Sequence, residues 1–159
     1  MKISIRKGLG FGLTSGIITT LGLLVGLYAG TGSKIVVLGG IIVIAIADAM
    51  SDALGIHISE ESGSKAVTKQ EVWESTLSTF FFKFVFALSF IIPILLLSLN
   101  TAIIVSIVWG MLLLSVFSFY IAKEKKASPT LAISEHLIIA VIVVVITYFI
   151  GKWVAVVFV

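Results

Sequence analysis

The stretch IVVLGGIIVIAIADAMSDALGIHI, Ile35 to Ile58, decides how this chain folds. At a rise of about 1.5 Å per residue, a helix of this length crosses the roughly 30 Å hydrocarbon layer of a bilayer. Two aspartates, Asp48 and Asp52, stand four residues apart near the end of this otherwise apolar run. Positions i, i+3, i+4 and i+7 of a helix share a face. That face carries Asp48, Ser51, Asp52, Gly55 and Ser59, and the opposite face carries Ile, Ala, Leu and Met. A carboxylate inside a membrane costs about 2.5–3.5 kcal/mol on insertion scales and normally faces a bundle interior or a water-filled path. The stretch therefore predicts a membrane helix with one polar stripe.

The rest of the chain agrees. Its 159 residues are 59% hydrophobic and 12% charged, with a mean hydropathy of +1.23. Soluble domains carry about 25% charge. The expected fold class is an all-α integral membrane protein: a single five-helix domain over 1–159 with helices at about 9–30, 35–58, 75–98, 101–122 and 132–152. The breaks carry turn chemistry at Gly30 to Ser33, Glu60 to Gln70, Ser98 to Asn100 and Lys123 to Pro129. The apolar run that begins near Leu9 is too long for a signal-peptide core and reads as a retained first helix. With no cysteine, disulfides and thiolate metal sites are excluded.

The net charge of +3 does not point to nucleic acid, because the basic residues flank apolar spans. A cytoplasmic N-terminus puts Lys2, Arg6, Lys7, Lys65, Lys69, Lys123, Lys125 and Lys126 inside and only Lys34 and Lys152 outside. The C-terminus of a five-span chain is then external. An odd number of helices cannot form two equal inverted halves, so a transport path is expected at a subunit interface. The compact chain, without organellar targeting features, is expected in a prokaryotic cytoplasmic membrane.

The first span carries its own stripe: Gly12, Ser15, Gly16, Thr19, Gly22 or Leu23, Gly26 and Gly30. Small residues at this spacing let helix backbones approach closely in lipid. Ser15 and Thr19 are expected to lie beside the second-span stripe and offer oxygen ligands. Lys83 stands at a depth in the third span similar to that of Asp52 in the second, which makes it the nearest charge partner and sets a purely structural Asp52–Lys83 ion pair as the alternative to an ion site. Asp48, deeper and without an obvious cation, is the leading candidate for a cation or proton site. Carboxylate and hydroxyl oxygens suit Mg²⁺, Mn²⁺ or Fe²⁺. His57, Glu60, Glu61 and Glu135 are candidates for an inner mouth or a proton relay, beside His136, Glu71 and Glu74. Met50 reads as a packing residue.

GLTSGIITTLGLLVGL (Gly12 to Leu27), SDALG (Ser51 to Gly55) with ISEES (Ile58 to Ser62), LSFIIPILLL (Leu88 to Leu97) and ITYFIGK (Ile146 to Lys152) together resemble the vacuolar iron transporter family over nearly the whole chain. The resemblance implies a five-helix homodimer that moves Fe²⁺ or Mn²⁺ out of the cytosol, with proton exchange, along a path between subunits lined by the first two helices. It also marks departures. The family's first-helix Asp falls on Ser15, its second-helix Met falls on Asp52, and Asp48 stands at a usually small position. The connection from Ser59 to Glu74 is too short for the acidic metal-binding insertion that many members carry.

The expected function is accordingly divalent-cation transport, with no enzymatic activity and no cofactor beside the transported ion. Asp48, Asp52, Ser15 and Thr19 are the expected metal ligands. Two alternatives stand beside it. One is a structural or regulatory membrane protein of the same fold without transport. The other is an intramembrane enzyme with paired aspartates, which the placement of both aspartates on one helix disfavours.

Overall fold

The computed structural model describes residues 2–63 and 67–158, which form six helices: α1 Ile3–Thr31, α2 Lys34–Ser62, α3 Lys69–Ser89, α4 Ile91–Leu96, α5 Leu99–Glu124 and α6 Pro129–Phe158. There is no strand among the described residues. α3 and α4 together make one span, so five segments are long and apolar enough to cross a membrane. The expected spans all lie within observed elements or their caps, but the helices overrun them. Apolar runs end where charge begins, whereas a helix continues through polar turns outside the hydrocarbon. α3, for example, starts behind Thr68, whose hydroxyl accepts from the Glu71 amide while the Glu71 carboxylate accepts from the Thr68 amide, a complete capping box. Lys65, expected on the inner side, lies outside the described residues.

The third span was expected as one helix and is broken at Phe90. Pro93 supplies the reason. It has no amide proton, and its ring clashes with the carbonyl four residues earlier, which belongs to Ser89, the last residue of α3. α4 is held from outside its own ladder, because Lys34 Nζ donates to the carbonyls of Leu95 (3.3 Å) and Leu97 (3.0 Å). A cation at the C-terminal carbonyls of a helix suits its dipole.

α1 is the hub and packs against α2, α3, α5 and α6. Its Leu13, Ile17, Leu21, Leu24 and Val25 supply much of the buried core, together with Val37, Ile41, Phe90, Ile94 and Leu114. The small-residue stripe does not face one partner. Gly8, Gly12 and Gly16 press on α3, where a Cβ on Gly12 would stand 2.7 Å from the Thr79 carbonyl oxygen and one on Gly16 3.1 Å from the Lys83 carbonyl oxygen. Gly22, Gly26 and Gly30 face Val143, Thr147 and Gly151 of α6. Only Ser15 and Thr19 of the stripe meet α2 side chains. Close packing of the glycines, expected from the sequence, is thus present but divided between two neighbours. The α1–α2 turn closes on Gly32, whose φ of 59° places it in the left-handed region while its amide donates to the Tyr28 carbonyl at 2.9 Å.

At the N-terminal end of the bundle, three cations at the start of α1 reach three different helices. Lys2 pairs with Glu74 of α3, Arg6 with Glu124 of α5, and Lys7 with Glu60 of α2 at 3.0 Å. Ser4 adds a 2.6 Å hydrogen bond to Glu74. The sequence shows Lys2, Arg6 and Lys7 only as cations flanking the first span. The structure makes them ties between helices.

Candidate functional site

The site is built by the close approach of α1 to α3. Because Gly12 and Gly16 carry no side chain, the backbone of α3 comes near enough for Lys83 to be buried, with 1% of its side chain exposed. Its flexible stem lies along Gly16, and its ammonium meets three oxygens. Lys83 Nζ is 2.6 Å from Asp48 Oδ2, donates to Ser15 Oγ at 2.9 Å, and pairs with Asp52 Oδ2. The ammonium hydrogen-bonds Ser15 and Asp52, and its contact with Asp48 is an ion pair.

The α1 hydroxyls complete the arrangement. Ser15 Oγ donates to Asp52 Oδ2 at 2.7 Å, and Thr19 Oγ1 donates to Asp48 Oδ2 at 2.8 Å. Ser15 and Thr19 are one helical turn apart, as are Asp48 and Asp52, so the two helices meet in register with one hydroxyl for each carboxylate. All four residues expected as metal ligands therefore converge, and Lys83 lies among them. One expectation is corrected here. Asp48 does not lack a cation, because the lysine ammonium spans both aspartates instead of pairing with Asp52 alone. The carboxylate side chains keep 26% and 21% of their surface exposed, unlike Lys83. The cluster is closed on the α3 side and partly open on the other.

The remaining polar positions of α2 separate from it. Ser51, Gly55 and Ser59 are exposed, and nothing lies within 4 Å of a Cβ built on Gly55. The single stripe expected on α2 is thus split, with its aspartates turned to α1 and α3 and its small residues turned outward. Beside Thr19, an apolar groove of about 660 Å³ runs between α1, α2 and α6, lined by Gly22, Gly26, Ile44 and Thr147 among others.

The inner-mouth candidates do not form one group. Glu60 is paired with Lys7. His57 places Nδ1 3.0 Å from Thr76 Oγ1 and Nε2 3.5 Å from Glu61 Oε1, with the edge of Trp73 against its ring. Glu135 is exposed on α6 and joins none of these contacts, while its neighbour His136 hydrogen-bonds Ser118 of α5 at 2.6 Å. Met50 is 61% exposed and off the cluster, at the edge of a groove with Ala53, His57 and Trp73. Among the described residues no three His, Cys, Asp or Glu side chains gather in a way that could hold a metal ion. The central cluster has two carboxylates and two hydroxyls around an amine, so a cation entering it would rely on the hydroxyls or water for further ligands.

A bundle of five apolar spans with a paired lysine and two aspartates at its centre defines an integral membrane protein with an ionisable intramembrane site. The chain belongs to the VIT family, the vacuolar iron transporters, whose sequence model matches residues 52–152, well over half of its length. This is a family of metal-ion transporters. No curated protein matches the chain. The family match begins at Asp52 and takes in Lys83, but Ser15, Thr19 and Asp48 precede it.

Proposed function

We propose that the chain exports a divalent cation, Fe²⁺ or Mn²⁺, from the cytosol in exchange for protons, as a homodimer with the ion path at the subunit interface. The observation that carries this reading is the convergence of Asp48, Asp52, Ser15 and Thr19 on a point occupied by a tethered cation, the Lys83 ammonium. A place that satisfies an ammonium through two carboxylates and a hydroxyl has the charge and the oxygen donors that hard and borderline divalent ions use. Lys83 neutralises the carboxylates while the site is empty and must leave it when cargo enters.

The dimer is supported by the outward face of α2. Ser51, Gly55 and Ser59 are exposed there, and the small side chains would admit a second helix closely. The N-terminus is taken as cytoplasmic from the distribution of lysine and arginine, in a prokaryotic cytoplasmic membrane. Because the chain has no cysteine, Ser51→Cys introduces a lone thiol, and a disulfide-linked dimer of this variant in native membranes tests the interface.

One observation favours a second reading, a membrane protein of the same fold that does not transport. Lys83 already satisfies both aspartates, as a purely structural ion-pair network would. Thermal unfolding of the purified protein with and without Mn²⁺ separates the two. Stabilisation by the metal that is lost in Asp48→Asn and Asp52→Asn supports transport, and its absence supports the structural role.

A further inference from the structure

We propose that His57 and Glu61 form a second, transient cation site at the inner end of α2, and that this site admits transition-metal divalent ions in preference to Mg²⁺ or Ca²⁺. The inference rests on the transport reading for the identity of the cargo, but its geometry is independent of the central cluster.

The imidazole is held by its neighbours. Thr76 Oγ1 makes a back-bond to the Val72 carbonyl at 2.8 Å within α3, which leaves its lone pairs free to accept. His57 Nδ1 lies 3.0 Å from that oxygen, so the contact suits the Nδ1–H tautomer of the neutral ring. In that tautomer Nε2 presents a lone pair. A metal-binding histidine is normally held in this way, with its second nitrogen donating to an outer oxygen that fixes ring and tautomer. The Trp73 edge, with ring centroids 4.8 Å apart and planes at 66°, restrains the ring further.

That lone pair faces a carboxylate. Nε2 and Glu61 Oε1 are 3.5 Å apart, longer than an ordinary N–H···O hydrogen bond of about 2.7–3.2 Å. At this separation a cation entering the gap would be met by both groups at once. The distance is close to the edge of a tetrahedron with metal–ligand bonds of about 2.1 Å, which is about 3.4 Å. Glu61 is 61% exposed, so further positions stay open to water, and two protein ligands suit an ion that pauses rather than one that resides. His57 lies five residues from Asp52 toward the end of α2, about 7.5 Å along the axis. A cation moving from that end to the aspartates passes the histidine first.

The chemical class follows from the donor. The central cluster offers only oxygens, which Mg²⁺ and Mn²⁺ share, whereas imidazole nitrogen favours ions such as Fe²⁺, Co²⁺ and Zn²⁺ over Mg²⁺ and Ca²⁺. The nitrogen of His57 therefore supplies discrimination that the aspartates lack.

Trp73 is a built-in reporter. In tag-free, detergent-solubilised protein carrying Trp109→Phe and Trp153→Phe, Trp73 is the sole tryptophan emitter. Co²⁺ should quench it saturably. His57→Gln should abolish the saturable quenching, Glu61→Gln should weaken it at least tenfold, and a hundredfold excess of Mg²⁺ should not relieve it. Asp48→Asn and Asp52→Asn should leave it intact, which separates this site from the central one. Quenching that persists in these two variants, together with no transport by the native chain, would sink the transport reading and keep the site. Absence of saturable quenching, or quenching indifferent to His57→Gln, would overturn the site, with a proton left as the occupant of the gap. Equal competition by Mg²⁺ would overturn the discrimination.

Discussion

Replacing Lys83 by Met gives the sharpest test of what the buried amine does. Methionine is flexible and apolar and can fill the channel that the lysine stem occupies along Gly16, so the main change is loss of the ammonium. The native ammonium touches Asp48 Oδ2, Asp52 Oδ2 and Ser15 Oγ. Removing one partner of a buried ion pair costs about 3–5 kcal/mol, because a charge is left uncompensated. With 26% and 21% of the carboxylate side chains exposed, water screens part of this, and the lower end applies. A divalent ion that enters the variant relieves the strain instead of competing with an ammonium, so at about 1.4 kcal/mol per tenfold a difference of about 3 kcal/mol makes Mn²⁺ bind roughly a hundredfold tighter than in the native protein. Calorimetric titration of tag-free protein reads the affinity directly, and thermal unfolding should show a variant less stable than native without metal and rescued by it. A variant that binds Mn²⁺ no tighter than the native chain would refute the claim that Lys83 and the cargo share one place.

Other substitutions probe the supports of the site. Gly12→Ala drives a methyl to 2.7 Å from the Thr79 carbonyl oxygen and should cost about 1–3 kcal/mol in detergent unfolding. Gly39→Ala, where nothing lies within 4 Å, should be neutral or stabilising by up to about 1 kcal/mol through helix propensity. Thr19→Val removes the hydroxyl that donates to Asp48 and should lower stability by about 1.5–3 kcal/mol, as for hydrogen bonds to charged groups, and should also weaken Mn²⁺ binding in titration. Thr68→Ala breaks the capping box of α3 and should cost about 1 kcal/mol while leaving metal binding unchanged.

The five spans were legible because lipid demands long apolar runs, and the composition allows no other reading. The Asp52–Lys83 pair was legible from depth alone. Asp48 was assigned no partner because depth counting gives each cation one level, whereas a lysine stem threaded between helices reaches both of two carboxylates one turn apart. The α1 stripe was legible as close helix packing, but its division between neighbours was not. Gly12 and Gly30 are eighteen residues apart, five full turns at roughly 100° per residue, and so share one face. The partner changes along the length of α1 rather than around it, with α3 on Gly8 to Gly16 and α6 on Gly22 to Gly30, and no local pattern encodes where one neighbour gives way to the next. The ties from Lys2, Arg6 and Lys7 were not legible, because their partners lie on three other helices whose order around α1 no local pattern encodes. His57 and Thr76 were within reach of inference. They and Asp52 with Lys83 are rungs of one antiparallel α2–α3 hairpin, and extending the second pair toward the connection leads to the first.

The most direct test of transport is Mn²⁺ and Fe²⁺ uptake into proteoliposomes under an imposed pH gradient, comparing the native chain with Asp48→Asn and Asp52→Asn. The native chain should show gradient-dependent uptake, and both variants should lose it. Native uptake that survives both substitutions, or no uptake by a native chain shown to be folded, would contradict it.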